Sequence, residues 1–268
     1  MSNGVCVLAQ NNNTTNYVEQ TYALALSILA NAPDTNISIV TNDTIPTEYK
    51  DVFDQVISIP WSDSASTTSW KIENRWKLYH VTPYIDTLVF DADMLALDNI
   101  TPVWENIDPF IFTNTVYTYR NELVTSRYYR KTFDSNNLPN IYTGMYKFSK
   151  SEESKSFFIL LEIIMKNWKI FYEKYAPKDI QNWNSVDLSA AISLKILDYN
   201  VKNELKFTHM KSQVQHWQHV PSKWTDVLPV DFGNDKIYIG GYKQSGVLHY
   251  VEDDFLTADM LKWLEERI

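Results

Sequence analysis

Thr87-Leu88-Val89-Phe90-Asp91-Ala92-Asp93-Met94-Leu95-Ala96-Leu97 is an apolar run interrupted by two carboxylates. The residues up to Phe90 read as a buried strand, so Asp91 and Asp93 leave its carboxyl end and Met94 onward returns to core character. Acids flanked by core on both sides are costly to place without a compensating cation. A divalent metal holding a diphosphate supplies one, because hard carboxylate oxygens suit Mg²⁺ or Mn²⁺. A bare Asp-x-Asp also serves as a cap or turn former, so its surroundings must decide.

Upstream, Gly4 to Ala9 is a short apolar strand that enters the polar loop Gln10-Asn11-Asn12-Asn13. Tyr17 to Leu29 has helical periodicity behind the cap candidates Thr15 and Asn16. Asn36 to Thr41 and Asp54 to Ile59 read as strands with a short helix between them, and Trp70 to Val81 as an amphipathic helix after the loop Ser62 to Ser69. Strands alternating with helices predict a parallel sheet, since parallel neighbours need a crossover of helical length. Ligands of open sheets bind beyond the carboxyl ends of the strands. Both the Gln10 loop and Asp91-Ala92-Asp93 fall there.

Downstream, Pro109 to Tyr119 and Tyr142 to Phe148 read as strands, Ser151 to Tyr175 as one long helix and Ser185 to Leu197 as another. Lys236 to Gly240 and Gly246 to Val251 read as short strands around a Gly-Gly turn, before a closing helix from Leu256 to Arg267. The expected architecture is one α/β domain, Rossmann-like, with a mostly parallel sheet flanked by helices. Residues 1–104 would form its nucleotide-binding half and 105–268 its acceptor side.

The 268 residues suffice for a full core, and the formal charge of −9 argues against a broad electrostatic grip on nucleic acid. Aromatic residues make up 14% of the chain, a density that suits stacking on sugars and flat bases as well as ordinary packing. The single Cys6 excludes an internal disulfide framework and agrees with a reducing compartment. With neither a secretory signal pattern nor a bilayer-length apolar run, the expectation is a soluble, cytoplasmic protein without a membrane partner.

Arg75-Trp76-Lys77-Leu78, Tyr84, the Asp91-Ala92-Asp93 strand with Leu97-Asp98-Asn99-Ile100, and Trp104 together resemble the glycogenin and lipopolysaccharide-galactosyltransferase family. The resemblance implies the GT-A fold and a retaining, metal-dependent transfer of sugar from a nucleotide donor, usually a UDP-sugar. It implies Mn²⁺ or Mg²⁺ held by Asp93 and His249, with Asp91 as a further ligand or a ribose contact. Ala9, Gln10, Asn11 and Tyr17 would lie along the nucleoside, with Ala92 beside the phosphates. Arg75 would face the diphosphate or sugar, Thr143 and Gly144 would flank the sugar, and Asp187 would bind its hydroxyls or stabilise charge at the anomeric carbon. Two departures stand out. Leu188 follows Asp187 where the family has Gln, and Val251-Glu252-Asp253-Asp254 replaces the Lys-Pro-Trp expected after the late His.

The Ala-Gln-Asn-Asn opening and the Trp70 to Lys77 segment also resemble glycosyltransferases of large tailed phages. That resemblance implies a hydroxymethylated base in phage DNA as acceptor and the host cytoplasm as location; the other acceptors are a saccharide, a protein or a small molecule.

Read without the resemblance, His249 is a packing residue on a strand, Asp187 a helix-start cap and Arg75 a solvated helix residue. His209, His216 and His219 invite a zinc reading, but no Cys or carboxylate completes them at suitable spacing. The stretch Arg120 to Lys131, with Arg127, Arg130 and interleaved Tyr128 and Tyr129, would contact an acidic acceptor or form a solvated lid. A nucleotidyltransferase would be expected to carry a Gly-rich phosphate loop after the first strand, and Gln10 to Asn13 has no Gly. A degenerate, non-enzymatic carbohydrate-binding or interaction module is the other alternative.

Overall fold

The structure, a computed structural model, describes residues 3–63, 65, 71–123, 130–178, 181–199, 202–209 and 223–268; for 114–116 and 202–209 it describes the backbone alone. Strands β1 (Asn3–Leu8), β2 (Ile37–Val40), β3 (Gln55–Ile57) and β4 (Asp86–Phe90) are parallel neighbours in the order β3-β2-β1-β4. β7 (Tyr142–Ser149) runs antiparallel to β4 and to β6 (Phe110–Tyr117). β8 (Lys202–His209), β12 (Val247–His249) and β5 (Met94–Ala96) complete a nine-stranded sheet, β12 lying parallel to β8 and antiparallel to β5. The sheet is mixed and mostly parallel, and it draws strands from both halves of the chain.

The central strands are almost wholly buried because both faces are covered, which is why they read as apolar runs. Alternate residues serve opposite faces. Val5, Val7, Leu88 and Phe90 pack with α1 (Tyr17–Asn31) and α7 (Ala258–Glu265), whereas Cys6 and Val89 pack with α4 (Glu152–Lys166) and α6 (Val186–Ile196). Asn16 caps α1 by accepting from Glu19 N. The helix is also tied to β5: Ala96 N donates to Ser27 Oγ at 2.9 Å and Asn31 Nδ2 donates to Ala96 O at 3.0 Å.

Several elements differ from their sequence reading. The segment read as one helix over Trp70 to Val81 forms turns at 71–74, a 3₁₀ turn at Arg75–Lys77 and a short α2 (Leu78–Val81), while 66–70 lie outside the described residues. Within these turns Asn74 is fully buried, and its amide donates to Gln10 Oε1 and Asp63 Oδ1, so the segment is tied to the first loop by tertiary contacts. Ser151 to Tyr175 divides into α4 and α5 (Trp168–Tyr175). At the break, Asn167 leaves helical geometry (φ −126°, ψ 29°) and its side-chain amide donates to Ile163 O.

Lys236 to Gly240 and Gly246 to Val251 do not pair with each other. β10 (Lys236–Ile239) joins β9 (Val230–Gly233) and β11 (Tyr242–Lys243) in a separate three-stranded sheet, and β12 enters the main sheet. The Gly240-Gly241 turn, with φ of +58° and +82°, therefore links β10 to β11. Neither β8 nor β9 was expected from the sequence.

Gly4 in β1 lies against Tyr84, whose hydroxyl is 2.6 Å from Ser38 Oγ. A Cβ at Gly4 would sit 2.6 Å from Tyr84 Cε1, a clash with a fixed, buried ring. Gly4→Ala is therefore expected to cost about 1–3 kcal/mol by overpacking, measured as a lower urea midpoint at unchanged slope. An unchanged midpoint would contradict this close approach.

Candidate functional site

The carboxyl ends of β1 and β4 open onto a cavity of about 630 Å³. Val7 pairs with Phe90, so the Gln10 loop and Asp91 emerge side by side. Asp91 N donates to Gly144 O at 2.7 Å, which sets β7 beside them. The antiparallel pairing of His249 with Met94 brings the last sheet strand to the same point, and Tyr250 N donates to Asp93 O at 3.1 Å. Backbone pairing thus assembles Asp91, Asp93 and His249.

Ligand atoms of these three residues lie within 4.8 Å of one another. His249 Nε2 is 2.9 Å from Asp93 Oδ1, and its Nδ1 is 2.9 Å from the Tyr142 hydroxyl. Arg75 forms an ion pair with Asp91. Burial lifts the Asp91 carboxyl above its ordinary range against the pull of Arg75, with Asp93 adding to the rise. Burial acts on Asp93 in the same sense, but the charge and hydrogen bond of His249 prevail and hold it low. Burial would lower His249, and Asp93 outweighs this and raises it. Two carboxylates and an imidazole are a donor set in which hard oxygens predominate, so these residues could hold a divalent metal.

Asp187 also lines the cavity, from the first turn of α6. Ser185, not Asp187, is the helix cap, accepting from Leu188 N. The Asp187 carboxylate instead accepts from Thr143 N at 2.7 Å and Thr143 Oγ1 at 2.6 Å, and pairs with Arg130 Nη1 at 3.2 Å. Arg130 is buried and donates to Ile141 O at 2.6 Å, so it belongs neither to a solvated lid nor to a surface for an acidic acceptor. Arg120, by contrast, is exposed and stacks over Tyr119 and Tyr242. Arg127, Tyr128 and Tyr129 lie outside the described residues.

Gln10, Tyr17, Arg75, Asp91, Ala92, Asp93, Thr143, Gly144, Asp187 and His249 all line the cavity. Ala9 and Asn11 do not. Ala9 is fully buried in the apolar core, and Asn11 braces the loop, its Oδ1 accepting from Val18 N at 3.0 Å and its N–H donating to Asp43 at 2.7 Å. The Gln10 amide is fixed from both ends, donating to Asp63 Oδ2 at 2.9 Å and accepting from Asn74 Nδ2 at 2.8 Å. Leu188, at the position of the implied Gln, is wholly buried among apolar side chains. His209 is described by its backbone alone, and His216 and His219 lie outside the described residues.

Three participants went unassigned in the sequence. Tyr142 and Arg130 brace His249 and Asp187. Asp253, in the segment that replaces the implied Lys-Pro-Trp, lines the cavity and accepts from Thr15 Oγ1 at 2.9 Å and Gln20 Nε2 at 3.1 Å. Only Tyr142 had a local signal: it shares a strand face with Gly144 two residues on, and a glycine there leaves room for a ring. The described lining carries Asp91, Asp93, Asp187 and Asp253 against Lys71 and Arg75, so an anionic ligand would need a cation beside it.

No protein-family model matches the chain, and no curated protein matches it in sequence. Solved structures do match in fold. Galactosyltransferase LgtC in complex with donor and acceptor sugar analogs is 13% identical, with 99% of this chain and 96% of that one covered and a TM-score of 0.58. An active-site mutant of LgtC is 16% identical, covering 98% and 94%, with a TM-score of 0.56. Mouse xyloside xylosyltransferase 1 in its apo form is 11% identical, covering 93% and 97%, with a TM-score of 0.53. The chain therefore has the expected GT-A glycosyltransferase fold. Among the described residues, no helix is long and apolar enough to cross a membrane.

Proposed function

We propose that this protein is a metal-dependent glycosyltransferase that moves a sugar from a nucleoside-diphosphate donor, UDP in our reading, to an acceptor hydroxyl. The observation that carries the proposal is the convergence of Asp91, Asp93 and His249 at the strand ends of a GT-A fold. Bound Mn²⁺ or Mg²⁺ would neutralise the charge that develops on the departing nucleoside diphosphate.

The chain's own groups take the remaining work. Gln10 and Tyr17 would hold the nucleoside, Gln10 through an amide already oriented by Asp63 and Asn74. Arg75, kept cationic by Asp91 despite its burial, would face the phosphates. Asp187, braced by Thr143 and Arg130, would accept hydrogen bonds from donor-sugar hydroxyls and stabilise positive charge at the anomeric carbon. In a retaining reaction of this type the acceptor proton passes to the leaving phosphate, so no separate general base is required.

UDP with MnCl₂ should raise the melting temperature, and EDTA should remove the rise. At free ligand one hundred times its Kd, the stabilisation should be about 2.7 kcal/mol. A flat response to UDP and to every other nucleoside diphosphate would overturn the proposal.

A further inference from the structure

Tyr142 stands between the sugar-side and metal-side walls of the cavity. It is 9% exposed, and its hydroxyl lies 2.9 Å from His249 Nδ1. The opposite face of the imidazole system is engaged too, since His249 Nε2 points at Asp93 Oδ1, 2.9 Å away. A neutral imidazole carries one N–H, so presenting the Nε2 lone pair to a cation requires the proton on Nδ1 and an acceptor for it there. Such partners orient a ligating histidine and fix its tautomer.

We propose that Tyr142 is the positioning residue of the metal centre: its phenolic oxygen accepts the His249 Nδ1 proton and thereby presents Nε2 to the divalent ion. The inference rests on the metal reading above. A hydroxyl suits this place better than a carboxylate would, because Asp91, Asp93 and Asp253 already crowd the cavity with negative charge. The ring cannot easily turn away. Arg130 packs over it at 5.3 Å while holding Asp187 at 3.2 Å, and Gly144 supplies the space the ring fills. One buried arginine thus steadies the sugar-side carboxylate and the support of the metal-side imidazole together.

Tyr142→Phe keeps the ring and removes only the oxygen. Mn²⁺ affinity, read from the electron paramagnetic resonance signal of free Mn²⁺ with no sugar donor present, should fall about 10–100-fold. Circular dichroism should be unchanged, and the metal-free melting temperature should fall only by the few degrees that one lost buried hydrogen bond costs. In the unaltered, Mg²⁺-loaded protein, nitrogen NMR should find His249 protonated at Nδ1, a readout that survives even if the variant folds poorly. Equal Mn²⁺ affinity in Tyr142→Phe, alongside loss of binding in Asp93→Ala, would overturn the role of Tyr142 alone. A proton on Nε2 in the loaded protein would overturn this role together with ligation of the ion by His249 Nε2. Failure of the unaltered protein to bind Mn²⁺ would overturn this inference and the metal reading together.

Discussion

Asp93→Ala should abolish the Mn²⁺-dependent rise in melting temperature and reduce sugar transfer about 10³-fold. The charge stabilisation a metal supplies is worth several kcal/mol, and each ~1.4 kcal/mol is tenfold in rate. Asp93 is also the partner of buried His249 at 2.9 Å, so its removal leaves the imidazole without the carboxylate that faces it. Asp93→Asn separates these effects, since it keeps the volume and a hydrogen-bond acceptor but not the charge. Asp34→Ala, at an exposed turn, gives the baseline. Calorimetry with and without Mn²⁺, together with UDP release from UDP-sugars, measures both quantities. A Mn²⁺ response that persists in Asp93→Ala would remove that carboxylate from the metal centre.

Gly144→Ala should be nearly as damaging, through geometry and not charge. A Cβ there would collide with the Tyr142 ring and stand 2.8 Å from Asp91 Oδ2. Neither neighbour yields easily: Tyr142 is hydrogen-bonded to His249 and Asp91 is paired with Arg75. The backbone is equally committed, because Gly144 O accepts from Asp91 N. Relief must therefore displace the ring or part β7 from β4, at a cost of about 1–3 kcal/mol for overpacking. Metal affinity should drop by at least the 10–100-fold expected for losing an outer-shell partner. Urea unfolding and Mn²⁺ titration of the same sample test this; wild-type values in both would show that the strand has more room than its neighbours imply.

The first strands were legible because their burial is two-sided. Val5 to Leu8 and Thr87 to Phe90 are continuous apolar runs, and a parallel central strand leaves little choice of residue. β8 was not legible: Lys-Asn-Glu-Leu-Lys-Phe-Thr-His becomes a strand because β6 and β12 flank it, a decision made by distant partners. The break at Asn167 was hidden for a different reason. Its flanks, Ile163-Ile164-Met165 and Trp168-Lys169-Ile170, keep helical periodicity on both sides of a residue whose side-chain amide caps the preceding helix at Ile163 O.

The site divides along the same line. That Asp91, Asp93 and His249 share one cavity with Arg75 and Asp187 was legible because a strand end and a family resemblance pointed to them. Arg130 was misread because its guanidinium finds its partners in Ile141 O and Asp187, far from the polar segment that surrounds it in sequence. Asp253 was missed because its hydrogen bonds come from Thr15 and Gln20 at the other end of the chain. The resemblance puts Asn11 on the nucleoside, yet its amide oxygen is taken by the first turn of α1.

The late entry of β12 into the sheet also sets a timetable. A growing chain carries both aspartates long before His249 is synthesised, and β5 has no antiparallel partner until Val247 to His249 arrives. Such pairing is of high contact order and slow to form. Because domains fold as units once their residues are available, Asp91, Asp93 and His249 come together only when this strand has joined the sheet.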